Sequence, residues 1–127
     1  MNCTNNEQVN KRNIRIVLAD DEPLVMMNLA EILTNNNFEV VGTATNGFEA
    51  IKVSGCKPDV VLMDINMPLL DGLSASKYIL EQGYTKTIVI TTAYNDKAFI
   101  SQAAEIGIAG YLVKPITTNL LIPSIDI

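Results

Sequence analysis

At 127 residues the chain is one domain, long enough to bury a single core without disulfide or metal staples. A net charge of −5 disfavours direct binding to nucleic acid or to an anionic membrane surface. The absence of histidine excludes histidine-based triads, most zinc sites and phosphohistidine chemistry on this chain, leaving oxygen chemistry. Although 48% of the residues are hydrophobic, they fall in short interrupted runs that read as stacked strands, with no membrane span and no N-terminal signal core. Cys3 and Cys56 have neither metal-ligand spacing nor a framework to staple, which fits a reducing cytoplasm.

Residues 1–13 are polar, carry almost nothing to bury, and are expected to be a disordered lead-in. Ile14 to Ala19 reads as the first strand and runs into Asp20-Asp21-Glu22-Pro23. A helix follows, because Val25, Leu29, Ile32 and Leu33 share one face, and Asn35-Asn36-Asn37 ends it. Phe38 to Ala44 is the second strand. Asn46 opens the second helix with Glu49 three positions on, the spacing of a capping box.

The third strand is the apolar run Val60-Val61-Leu62-Met63, which stops at Asp64 and is followed by the turn formers Asn66, Pro68, Asp71 and Gly72. A lone Asp there is ordinarily a strand terminus. Leu73 to Glu81 forms the third helix, stopped by Gly83, and Thr87 to Thr91 the fourth strand, delivering Thr92 to the same edge as Asp64. The fourth helix, roughly Asp96 to Ile106, is alanine-rich and so loosely held. Gly107 caps it, and Ala109 to Val113 is the fifth strand, reaching Lys114-Pro115. Ile116 to Ile127 looks helical, but Pro123 removes a backbone donor and predicts a kink or a late start. Strands alternating with helices indicate an α/β fold, a parallel sheet with helices on both faces.

Right-handed crossovers bring the C-terminal ends of parallel strands to one edge, so Asp20, Asp21, Asp64, Thr92 and Lys114 should gather there. Taken singly, Asp21 could cap the first helix, Thr92 could cap the fourth and Lys114 could be a solvated charge. Together they have complementary chemistry. Carboxylates about 4 Å apart in an effective dielectric near 20 repel by roughly 4 kcal/mol per pair, and Lys114 plus a divalent ion would relieve that. Oxygen-only ligands select Mg²⁺ or Mn²⁺. A metal beside a carboxylate, a hydroxyl and an ammonium suits phosphoryl transfer, with an aspartyl phosphate as product.

Over residues 14–127 the chain resembles the receiver domains of two-component response regulators. The resemblance rests on Asp20-Asp21, on Asp64 within Asp-Ile-Asn-Met-Pro-Leu-Leu-Asp-Gly, on Thr92-Ala93, and on Tyr111 three before Lys114-Pro115. It implies a doubly wound, flavodoxin-like five-stranded sheet of order 2-1-3-4-5, with Asp64 accepting a phosphoryl group from a sensor histidine kinase. It further implies that Asp21 ligates Mg²⁺ directly and Asp20 largely through water. Asn66 would offer its backbone carbonyl, Lys114 would pair with the phosphoryl group, and the Lys114–Pro115 bond would be cis. Thr92 and Tyr111 would form a switch that remodels the face made by the fourth helix, fifth strand and fifth helix, with slow self-dephosphorylation. From the residues alone Tyr111 fits a partly buried core aromatic equally well.

The fourth and fifth helices carry few charges, so the charged dimer face of one large regulator class is not apparent, although a phosphorylation-dependent dimer stays possible. The ending Ile125-Asp126-Ile127 suggests an output domain after residue 127. Ala-Asp-Asp-Glu-Pro-Leu-Val, Gly-Tyr-Leu-Val-Lys-Pro and Leu-Ile-Pro-Ser-Ile are similar to receivers attached to antitermination-type, RNA-binding outputs. Two other functions compete. A flavodoxin-like cofactor binder is disfavoured because Asp20-Asp21 would repel a phosphate after the first strand. A phosphorylation-independent interaction module of the same fold is disfavoured by the intact acid cluster and Lys114.

Overall fold

The computed structural model describes residues 13–93 and 97–125. The lead-in expected over residues 1–13 lies outside them except for Asn13, as do the expected helix start at Asp96 and the terminal residues 126–127.

The apolar runs form a parallel sheet of β1 (Arg15–Ala19), β2 (Glu39–Ala44), β3 (Val60–Asp64), β4 (Ile88–Thr92) and β5 (Gly110–Val113), in the order β2-β1-β3-β4-β5. This is the order the resemblance implied. Crossovers are made by α1 (Pro23–Asn35), α2 (Gly47–Ser54), α3 (Gly72–Gln82) and α4 (Lys97–Ile106), and α5 (Thr118–Ile125) follows the last strand. Strand residues alternate faces, which divides the core in two. Ile16, Leu18, Val60, Leu62 and Val89 pack with Leu29 and Leu33 of α1 and with Leu121 and Ile125 of α5. Val17, Val61, Met63, Ile88 and Ile90 pack instead with Ala50 of α2, Ala75 and Ile79 of α3 and Ala103 of α4. Each fully buried aliphatic side chain contributes about 1.5–3 kcal/mol, so β1, β3 and β4 anchor the molecule.

Local chemistry sets the helix ends. Pro23 fits the first helical position of α1, where no amide donor is needed, but neither Asp21 nor the N-cap Glu22 caps the helix with its side chain. Instead Asp20 Oδ1 accepts the Glu22 N–H at 2.9 Å. At α2 the Asn46 side chain accepts the Glu49 N–H at 2.9 Å, while Glu49 reaches back to the backbone and hydroxyl of Thr45, one residue earlier than a capping box requires. Gly83 and Gly107 end α3 and α4 at φ 73° and 102°, conformations a Cβ would strain.

Pro123 lies inside α5, so the late start expected of it does not occur. Its missing donor is tolerated because Leu121 and Ile125 on either side are fully buried and hold the segment against the sheet. No helix among the described residues is long and apolar enough to cross a membrane.

Candidate functional site

Because every strand runs the same way, the residues that end or follow β1, β3, β4 and β5 reach one edge of the sheet. Pairing of Ala19 with Met63, Asp64 with Thr91 and Thr92 with Val113 brings Asp20, Asp64, Thr92 and Lys114 together there. Carboxylate oxygens of Asp20, Asp21 and Asp64 lie within 4.8 Å of one another, with Asp20 and Asp64 buried and Asp21 exposed. Lys114 Nζ donates to Asp20 Oδ2 at 2.9 Å and to Asp64 Oδ2 at 3.3 Å. Among the described residues one ammonium thus pairs with two of three clustered carboxylates, leaving an excess of negative charge at a partly desolvated place.

That imbalance is visible in the acid–base properties. Burial first, and then the neighbouring Asp20 charge, push the Asp64 carboxyl up from 3.8 to about 6, against the opposing pull of Lys114 and the Asn66 N–H. Burial works against the Lys114 charge, but its hydrogen bond to Asp20 and the charges of Asp64 and Asp20 outweigh it, so Lys114 stands above the ordinary lysine value. An all-oxygen donor set this close, with one exposed member and surplus charge, fits a hard divalent cation that keeps some of its water.

Asp64 is held by the loop that follows it. The Ile65 N–H donates to Thr91 O at 3.0 Å, tying the end of β3 to β4, and the Gly72 N–H closes the loop onto Ile65 O at 2.9 Å. A side chain at Gly72 would overlap the Asp64 carbonyl oxygen and lie 3.0 Å from Ile65 Cα, so the start of α3 can sit this close to the acidic residue only as glycine. The Gly47 N–H at the start of α2 pins the same loop through Leu70 O at 2.9 Å. Within it the Asn66 N–H reaches Asp64 Oδ1 at 3.3 Å.

Thr92 is buried, and its carbonyl accepts the Lys114 N–H at 2.8 Å, fixing β5 relative to β4 just above the acid cluster. Tyr111, opposite Ile90, is 42% exposed, so it is not the partly buried core aromatic that was the alternative for it. The Lys114–Pro115 bond is cis. Two residues that the sequence marks only as turn formers have more specific roles here. Asp71 serves as N-cap of α3 by accepting from Ser74 N and Oγ at 2.8 and 3.0 Å, and Gly72 permits the close approach just described. The Asp-x-x-Ser spacing was the available signal for the first. Nothing short of coordinates signals the second.

A family model described as the response regulator receiver domain matches residues 16–126. The transcriptional regulatory protein PdtaR of Mycobacterium tuberculosis (strain H37Rv) is 39% identical over 114 residues, covering 89% of this chain and 55% of that protein. The chemotaxis protein CheY of Thermotoga maritima is 34% identical over 113 residues, covering 88% of this chain and 94% of that one. Among solved structures, the signal receiver domain of NarL from Mycobacterium tuberculosis superposes with a TM-score of 0.83 at 28% identity, covering 90% of this chain and 94% of that one. The chain spans about half the length of PdtaR, at 55%. With its sheet order, its edge of gathered carboxylates and these matches, the chain belongs to the response regulator receiver domains.

Proposed function

We infer that this domain is a phosphorylation switch in which Asp64 accepts a phosphoryl group from a sensor histidine kinase. The observation that carries the reading is the meeting of carboxylates from two separate strand ends within 4.8 Å, with Lys114 bridging two of them. With its carboxyl at about 6, Asp64 is ionised by roughly ten to one at neutral pH and so is available as a nucleophile. Its oxygen attacks the phosphorus of the kinase phosphohistidine. The P–O bond forms as the P–N bond breaks, and the departing imidazole takes a proton from solvent.

Asp20, Asp21, Asp64 and the Asn66 carbonyl are the groups that would hold Mg²⁺, or Mn²⁺ in its place. Bound there, the ion would neutralise charge on the phosphoryl oxygens. Lys114, already 3.3 Å from Asp64, exchanges its carboxylate partner for a phosphoryl oxygen. The buried Thr92 hydroxyl moves toward the new oxygens and the exposed Tyr111 ring turns inward behind it, remodelling the face made by α4, β5 and α5. Support for a movable α4 comes from its packing, since Ala103 is its one buried residue among those described. Thr92 and Lys114 thus act in the chemistry, and Thr92 and Tyr111 in the readout.

The receiver unit, taken as residues 14–127, controls an output domain that follows it, in the cytoplasm, with dimerisation on phosphorylation as one way of doing so. Relatives named transcriptional regulatory proteins, of which this chain covers 52–55%, support an output in transcription regulation. The sequence patterns favour an RNA-binding, antitermination-type output, with the receiver itself staying off nucleic acid because of its −5 charge.

The test is incubation with phosphoramidate, a small P–N donor, followed by intact mass measurement. One phosphoryl group should be added with Mg²⁺ and none with chelator or in Asp64→Asn. Labelling that survives Asp64→Asn would overturn the assignment, and a protein that binds Mg²⁺ yet takes no label would be an interaction module instead.

A further inference from the structure

Beside the acid cluster, a groove of about 370 Å³ separates the start of α3 from α4. Its apolar walls are Ile65, Leu73 and Phe99, and its polar rim is Asn66, Ser74, Asp71 and Gln102. The volume falls in the range of small-molecule sites. We propose that this groove binds a small, uncharged, planar molecule carrying an amide-like donor–acceptor edge, and that its occupancy is coupled to the state of Asp64.

The chemistry of the walls sets the ligand class. Ile65 and Leu73 are almost fully buried and only floor the groove, so its open apolar surface comes from Phe99, which packs half-buried against the same core. Asn66 from the β3–α3 loop and Gln102 from α4 line the groove from opposite elements, and both are exposed. A carboxamide can donate and accept at once, so the pair suits a ring bearing both functions on one edge. Charge is selected against. An anion would meet Asp71 and, behind Asn66, the acid cluster, whereas the Asp71 carboxylate is already engaged by Ser74 N and Oγ at 2.8 and 3.0 Å and so recruits a cation poorly.

The coupling, which rests on the function proposed above, follows from what the walls belong to. Asn66 touches Asp64 through its N–H at 3.3 Å, and Phe99 and Gln102 ride on the thinly anchored α4. A ligand bridging the two sides favours this placement of α4, so any displacement of α4 by phosphorylation must alter its affinity, and the ligand must alter the equilibrium for forming the phosphorylated state by the same factor.

Nicotinamide is a suitable probe, with benzoate as its anionic counterpart, followed by backbone NMR of the unphosphorylated protein. Nicotinamide should give saturable shifts at Asn66, Leu73, Phe99 and Gln102 with a dissociation constant on the order of 1 mM, the strength such a fragment reaches. Benzoate should not. Gln102→Ala should weaken binding about tenfold, and Phe99→Leu, which keeps apolar packing on the core, should weaken it similarly while the rest of the spectrum is unchanged. Absence of saturable shifts, shifts elsewhere, or equal response to benzoate would overturn the site. With Mg²⁺ and beryllium trifluoride present, affinity should change at least threefold, and an unchanged affinity would overturn the coupling. If beryllium trifluoride perturbs nothing around Asp64 while nicotinamide still saturates, the phosphoacceptor reading fails and the groove stands.

Discussion

Asp64→Asn should make the metal-free protein more stable. In the parent, Lys114 Nζ sits 2.9 Å from Asp20 and 3.3 Å from Asp64, so a single cation is shared and favours Asp20. The Asp64 carboxyl stands at about 6 against an ordinary 3.8. Holding it ionised at neutral pH would cost up to about 3 kcal/mol, reduced to about 1–2 kcal/mol because solvent enters beside the exposed Asp21. The folded-state value lies above the unfolded one, so the folded protein binds the proton more tightly. Stability is therefore lost as pH rises from about 4 through about 6, and the cost is fully present above that. Asparagine has no ionised form and leaves Lys114 paired with Asp20. In chelator at pH about 7.5, thermal unfolding of Asp64→Asn should shift upward by about 3–10 °C, a gain that shrinks near pH 4.5 and reverses in saturating Mg²⁺. A variant no more stable than the parent without divalent ions, or a gain that grows on acidification, would refute the reasoning.

Three further outcomes follow from the same geometry. Lys114→Ala should destabilise the metal-free protein by about 1–3 kcal/mol in urea unfolding, since two buried carboxylates lose the one counter-charge they have among the described residues, and Mg²⁺ should restore most of the loss. Its Mg²⁺ affinity should be largely intact, while phosphorylation should shift the α4, β5 and α5 resonances less than in the parent; identical shifts would count against the role given to Lys114. Mg²⁺ affinity by calorimetry should fall as pH drops through about 6, because the Asp64 proton must leave before the ion binds, and a flat profile down to pH 5 would contradict the shared site. Gly72→Ala should cost about 3 kcal/mol or more and impair Mg²⁺ binding too, because its Cβ would overlap the Asp64 carbonyl; a near-neutral substitution would show that the loop relaxes cheaply.

The sheet and most of the site were legible because they depend on runs and termini. Val60 to Met63 could only be a buried strand, and a carboxylate directly after it had to emerge at the edge where Asp20 and Lys114 also emerge. What stayed hidden depends on distances between segments. Leu69 takes φ 69° without being glycine, and Gly72 is required by a backbone approach that no local pattern encodes. Glu49 bonds Thr45 instead of the residue one later, a choice between neighbours too close for spacing to separate. Pro123 was weighed by its local penalty alone, whereas burial of Leu121 and Ile125 keeps the helix running through it. The identity of Lys114's nearer partner, Asp20 over Asp64, likewise follows from the placement of β1 beside β3.

The most direct test is to locate the phosphoryl group. Protein incubated with acetyl phosphate and Mg²⁺ can be reduced with borohydride, which converts an aspartyl phosphate to homoserine, and the modified residue read by tandem mass spectrometry. Homoserine is expected at position 64 alone, and only when the divalent ion is present. Homoserine at position 20, 21 or elsewhere, or equal modification in chelator, would contradict it.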